Sequence, residues 1–378
     1  MMTVQLTLPG VPPPYESGTP KVAMIDVAKG FGILLIVLGH NTIFSSTFSF
    51  VSEVLAAFRI PFFFFMSGVT FSIARRTLGQ VAVQRADAWL KPCAVVLIVI
   101  GVLKIALGVG TPEGLLLSLT FATGFTFAWP PLWFLPHLWL VYVFTAALLI
   151  KCPRLINTLR KRIFLLICFG LGGYYLLHMF SSPLDNPSCT KQLIFTMRLF
   201  ECGLPYSADL LLVTALYFLI GHFLSDAIKR FKPRRLEMLF AVVGLLVLCE
   251  QFPLSLDLNA REYQDLLISP FQAFFGIFAM LGFCYYCGKS RYITAVIGYF
   301  GRTSLFILLF HAPILYWILR NLPRWIDSPL VVGMAAFVIP IALSLAAYYI
   351  CRSSVVLSTL MFPIKPKRVE RRASALYR

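Results

Sequence analysis

Charge is scarce in this sequence. Only 16 Asp and Glu stand among 378 residues, and charged residues of both signs make up 13%, about half the share that water-soluble domains carry. With 59% hydrophobic residues and a mean hydropathy of +0.82, a soluble fold is excluded, because no such fold buries so much apolar surface. The first residues lack the basic start and apolar core of a secretory signal. Residues 1 to 22, with Pro12, Pro13, Pro14 and Tyr15 among small polar residues, read instead as a disordered cytoplasmic tail. An internal repeat is also lacking, which counts against the inverted-repeat architecture of many transporters. The nine cysteines are scattered through apolar stretches, where free Cys behaves as a small hydrophobe. The pair Cys284 and Cys287 has redox spacing without the soluble βαβ setting of a thioredoxin-like motif. Neither a metal site nor a bound cofactor is expected.

What the chain does have is apolar stretches of about 18 to 25 residues, the length of helix that crosses roughly 30 Å of hydrocarbon. Inside a bilayer every backbone polar group must be satisfied within its own segment, so helices are implied. The pattern predicts an all-α integral membrane protein with about ten transmembrane helices in a single bundle. They fall near 24 to 46, 54 to 74, 93 to 109, 132 to 150, 163 to 180, 207 to 224, 237 to 253, 265 to 287, 293 to 319 and 329 to 351. The apolar piece 115 to 128 is read as a short re-entrant or interfacial segment. The membrane domain then covers 23 to 352, and 353 to 378 is a basic cytoplasmic tail.

The net charge of +17 could suggest a nucleic-acid partner, but its distribution has another cause. Under that topology Arg75, Arg76, Arg85 and Lys91, the cluster from Lys151 to Arg162, that from Lys229 to Arg235, Lys289 with Arg291, and the C-terminal cations all fall on one face. By the positive-inside rule that face is cytoplasmic, as are both termini. No nucleic-acid module is present. On the opposite side, Cys189 and Cys202 of the long loop 181 to 206 are expected to pair if that compartment is oxidising.

Chemistry is suggested first by MIDVAKGFGILLIVLGHN, where Asp26, Lys29 and His40 interrupt an apolar span. Ionisable groups there are costly and need a reason. Asp26 and Lys29 share a helix face at i, i+3, and Lys29 and His40 lie about three turns, or roughly 16 Å, apart along one stripe. Gly32 and Gly39 would let a helix or a substrate approach the backbone closely. Next comes FRIPFFFFMSGV, followed by Arg75, Arg76, Arg85 and Lys91. These cations read either as topological anchors or as a binding set for the phosphates of an anionic donor. His137, between Trp133 and Trp139, reads as interfacial. Arg302, Ser304 and His311 form a second polar group. Nine residues of ideal helix would put Arg302 and His311 on opposite faces unless Gly301 or Pro313 alters the path.

With these residues the sequence resembles the membrane-bound acyltransferase 3 family, and within it the fucose 4-O-acetylase-like branch. The resemblance lies in Ile25, Asp26, Lys29, Gly30 and His40, in Pro61 with Phe62 to Phe65, Ser67 and Gly68, in the basic loop, in Leu132 to Leu135, and in Gly301, Ser304, Leu305 and His311. It covers about 24 to 351, and Lys29 stands where many members have Arg. Size and domain content are also similar to the acetyltransferases of bacterial exopolysaccharide assembly, the xanthan type included. The resemblance implies transfer of an acetyl or other acyl group from a coenzyme A thioester, acetyl-CoA above all, to a sugar hydroxyl in the bacterial inner membrane. Its acceptor would be a glycan or lipid-linked oligosaccharide, with membrane lipid and polysaccharide-assembly proteins as further partners. His40 is then the candidate base, supported by Asp26 and Lys29. Arg75, Arg76, Arg85 and Lys91 are candidates for donor binding, and Arg302, Ser304 and His311 for a secondary site. Direct transfer and an acyl-histidine intermediate both remain open. The rival readings are a transporter or flippase of the same pathway and a noncatalytic assembly subunit.

Overall fold

A computed structural model describes residues 20–73, 76–180, 203–253 and 256–364. The Arg75 position, the 189/202 cysteine pair and most of both expected tails lie outside these residues. The chain is an all-α membrane bundle. In chain order the helices are α1 (Pro20–Gly39), α2 (Thr42–Thr47), α3 (Ser49–Val69), α4 (Leu78–Arg85), α5 (Lys91–Ala106), α6 (Pro112–Phe121), α7 (Phe134–Lys151) and α8 (Leu159–His178). Then follow α9 (Leu211–Phe223), α10 (Ser225–Lys229), α11 (Arg235–Gln251), α12 (Ile268–Cys287), α13 (Arg291–Arg302), α14 (Ser304–Asn321), α15 (Pro329–Ser353) and α16 (Val355–Met361). A hairpin of β1 (Leu256–Asp257) and β2 (Glu262–Tyr263) sits between α11 and α12.

Among the described residues, seven helical stretches are long and apolar enough to cross a membrane. They comprise α3, the continuous run from α4 through α5, α7, α9, α12, α14 and α15, some with their flanking turns. The other three expected spans are α1, α8 and α11. α1 carries Asp26 and Lys29, α8 begins on Arg160, Lys161 and Arg162, and α11 has 17 residues. Large apolar side chains such as Val99, Leu103, Phe164, Ile167, Phe240 and Val247 stand exposed around the bundle. They would be untenable in water and belong against lipid.

Glycine governs the inner packing. A Cβ on Gly68 would meet the Phe218 carbonyl and one on Gly221 the Phe65 carbonyl, so α3 and α9 touch backbone to backbone. Gly30 and Gly301 do the same for α1 and α13. Without a hydrophobic drive between helices in lipid, such close approach is what holds them together.

Three predicted helices are broken or redrawn. The span 24 to 46 ends at Gly39, because the Asn41 side chain accepts from the Phe44 amide at 3.2 Å and starts α2, while its own Nδ2 donates to the Gly333 carbonyl at 2.8 Å. His40 therefore stands in a two-residue break. The span 293 to 319 is two helices divided at Thr303, whose hydroxyl donates to the Tyr299 carbonyl at 2.9 Å. The span 93 to 109 starts instead at Leu78, where Thr77 and Gln80 cap one another reciprocally, and runs through a π turn at Ala86–Leu90. That capping box is readable in sequence as Thr followed three residues later by Gln. Arg85 and Lys91, expected in a loop, are thus helical. The 115 to 128 piece overlaps the second half of the ten-residue α6, which is about 15 Å long and too short to cross.

On the face opposite the basic clusters, a buried ion pair ties three loops together. Arg261 Nε lies 3.0 Å from Asp209 Oδ2, both side chains fully buried. Asp209 Oδ1 accepts from the Leu204 amide at 2.8 Å, and Arg261 Nη1 donates to the Asn259 carbonyl at 2.8 Å. The Phe125 ring lies 4.9 Å beneath the guanidinium. Arg261 is the keystone of this cap.

Candidate functional site

A cavity of about 420 Å³ opens among α1, α3, the π turn, α7 and the junction of α13 with α14. The α13–α14 break explains its shape: α1 and α13 close on their glycines, and α14 departs from Thr303 in a new direction, bringing Ser304, Leu305 and Leu308 to the wall. Lys29 and Gly32 come from α1, and Ser67 and Thr70 from α3. Arg85 comes from the end of α4, Trp89 from the π turn and Tyr142 from α7.

Cations mark the end of the cavity nearest the basic clusters. Arg85 is held with its guanidinium 5.2 Å from the Trp89 ring centre and 4.9 Å from that of Tyr142, while the Tyr142 hydroxyl donates to the Ser67 carbonyl at 3.3 Å. The expected Asp26–Lys29 pair is rearranged. Asp26 Oδ2 lies 3.5 Å from Arg302 Nη1, which leaves Lys29 without an ion pair among the described residues. Arg302 thus serves Asp26 and does not accompany His311. Farther in, the lining turns apolar, with Phe62, Phe63, Leu135, Leu138, Leu305 and Leu308.

One helical turn beyond Leu308 stands His311, fully buried. Its Nδ1–H donates to the Ile307 carbonyl at 2.8 Å, with the Leu308 carbonyl at 3.1 Å. That bond fixes the tautomer and leaves Nε2 as an acceptor with no partner among the described residues. The His40 ring lies beside it, with 5.6 Å between centres and 36° between planes. Two imidazoles that the sequence assigned to separate sites therefore form one. Arg59 of α3 joins them, its guanidinium lying on the backbone of Gly39. Asp257 on the hairpin is near enough for its charge to act on Arg59. On the same hairpin, burial pushes the Tyr263 phenol up to about 12, so it stays neutral.

The remaining expected donor residues divide. Arg85 lines the cavity. Lys91 does not: its Nζ is 2.6 Å from Asp87 Oδ1 and donates to the Phe362 carbonyl at 2.7 Å, tying down the segment after α16. Arg76 is exposed outside the cavity. His137 is fully buried in the protein, with the Tyr206 carbonyl at 3.0 Å and the Thr214 hydroxyl at 2.9 Å from its two nitrogens.

Sequence reasoning missed Arg59, whose signal was a cation inside an apolar span. It also missed Tyr142, which looks like any aromatic packing residue.

Chemically, the arrangement offers a cavity with both cationic and apolar walls and, one helical turn beyond its Leu308 wall, an imidazole nitrogen without a partner among the described residues. A family model described as an acyltransferase domain matches residues 22–349. No curated protein and no solved structure matches the chain.

Proposed function

Because the chain belongs to the acyltransferase 3 family, we propose that it transfers an acetyl group from acetyl-CoA to a sugar hydroxyl of an exopolysaccharide, its lipid-linked precursor or another cell-surface glycan. The observation that carries this reading is the unpartnered Nε2 of His311 beside His40, one turn from a cavity whose other end is cationic. Burying a polar atom without a partner costs free energy, and a bound hydroxyl would relieve that cost.

In this reading the donor enters from the basic, cytoplasmic face of the bacterial inner membrane. Lys29 and Arg85 meet its phosphates, for which a fixed cation is suited. The cavity of about 420 Å³ takes the thioester arm and leaves the nucleotide at the mouth. The acceptor hydroxyl comes to the imidazoles from the opposite face. One imidazole takes its proton, the oxygen attacks the thioester carbonyl, the carbon–sulfur bond breaks, and the departing thiolate recovers the proton from the imidazolium. Asp26 with Arg302 fixes the α1–α13 junction and so the placement of Lys29.

The test is reconstitution of the full-length protein in lipid vesicles with labelled acetyl-CoA and a lipid-linked oligosaccharide extract. Alkali-labile label on the oligosaccharide is expected. Passage of oligosaccharide across the vesicle membrane with no label transferred would instead establish a flippase.

A further inference from the structure

Arg59 is accounted for neither by the motif pattern nor by the donor cavity. It sits in mid-α3 in the run AAFRIPFFFF, where a cation is costly to keep. Two other arginines set into the bundle have close partners: Arg261 pairs with Asp209, and Arg85 lies on two aromatic rings. Arg59 has no ion pair at contact distance among the described residues, only the more distant charge of Asp257.

Its position is nevertheless specified. A Cβ on Gly39 would overlap the Arg59 guanidinium, and Gly39 is not among the residues with positive φ. Glycine is therefore required there by the room the guanidinium needs, and not by the backbone. The residue after Gly39 is His40. Seating the last residue of α1 on Arg59 sets the guanidinium's N–H donors next to His40, in a region of low dielectric where such donors act strongly.

On the reading that the chain is an acyltransferase, we propose that Arg59 is a further catalytic residue, its guanidinium receiving the oxyanion that forms on the transferred acyl group. When the imidazole removes the acceptor proton and the oxygen adds to the thioester carbonyl, negative charge passes to the carbonyl oxygen. That charge returns to the thiolate when the carbon–sulfur bond breaks, so the guanidinium binds most tightly midway and neither gains nor loses a proton. A preorganised donor of this kind acts on turnover more than on ground-state binding.

The experiment compares Arg59→Ala, Gly39→Ala and the double variant, each full-length in vesicles, with acetyl-CoA and a lipid-linked oligosaccharide extract. The methyl of Gly39→Ala takes the guanidinium's seat while keeping the arginine. Each single variant should lose about 100- to 1000-fold in kcat with little change in the KM for acetyl-CoA. The double variant should be no worse than Arg59→Ala, because both changes remove the same interaction. An Arg59→Ala variant within about threefold of wild-type kcat would overturn the role of Arg59. So would losses that multiply in the double variant. A wild-type protein that forms no ester overturns this role and the enzymatic reading together.

Discussion

Removing Arg261 should be among the most damaging single changes outside the site. In Arg261→Met the side chain keeps much of its length but loses its charge, leaving Asp209 fully buried. Of the contacts in the intact pair, the carboxylate would keep only the Leu204 amide at 2.8 Å and would lose Nε at 3.0 Å and Nη2 at 3.3 Å. Breaking a buried pair from one side costs about 3 to 5 kcal/mol, because the surviving charge is uncompensated. Replacing both partners with apolar residues leaves no such charge. Asp209→Leu with Arg261→Met should therefore recover most of the loss, to within about 1 kcal/mol of wild type. The assay is thermal inactivation of detergent-purified protein, followed by retention of its gel-filtration peak, together with the amount accumulated in membranes. The single variant should fail both, and the double variant should restore both. Wild-type stability in Arg261→Met would refute the claim that this pair holds the outer cap.

Other consequences follow from the site's walls. Lys29→Ala should raise the KM for acetyl-CoA about tenfold while changing kcat little, since it removes a cation from the mouth and leaves the imidazoles in place; steady-state kinetics in vesicles checks this. Truncation after Ser354 removes Phe362, whose ring stacks on Phe306 at 5.1 Å and whose carbonyl holds Lys91, together with Ile364, whose amide donates to Asp87 at 2.7 Å. It should raise the same KM severalfold by loosening the π turn that carries Trp89 and adjoins Arg85, and partial rescue by longer truncation products locates the effect. Gly301→Ala places a methyl against the Asp26 carbonyl and Gly30. It should lower both stability and donor affinity, by about 1 to 3 kcal/mol of overpacking, as read by thermal inactivation and acetyl-CoA titration.

The bundle was legible because the length of an apolar helix follows directly from the thickness of the bilayer. His40, Lys29 and Arg85 were legible because ionisable groups in or beside apolar spans are expensive. Helix breaks were not. Asn41 and Thr303 each end a helix inside a stretch that is apolar enough on average to read as one span, and the hydrogen bonds that end it are local and add nothing to an apolar count. The break at Thr303 also hid the most important relation in the site. On one straight helix Arg302 and His311 would face apart, so the sequence offered no reason to set His311 beside His40 or Arg302 beside Asp26. Lys91 illustrates the opposite error. Its charge and position suit donor binding, but a partner 271 residues away decides its role, and no local pattern reports a contact at that separation.

The central claim is that His40 and His311 form one proton-transferring site for acyl transfer. Its most direct test measures labelled acetyl passing from acetyl-CoA to a lipid-linked oligosaccharide extract by wild type, His40→Ala and His311→Ala, normalised to protein in the vesicle. Wild type should form ester, and each variant should lose at least about 100-fold in kcat, with the double variant no worse than either single one. Transfer at near wild-type rates by either variant, in protein that accumulates normally, would contradict the account.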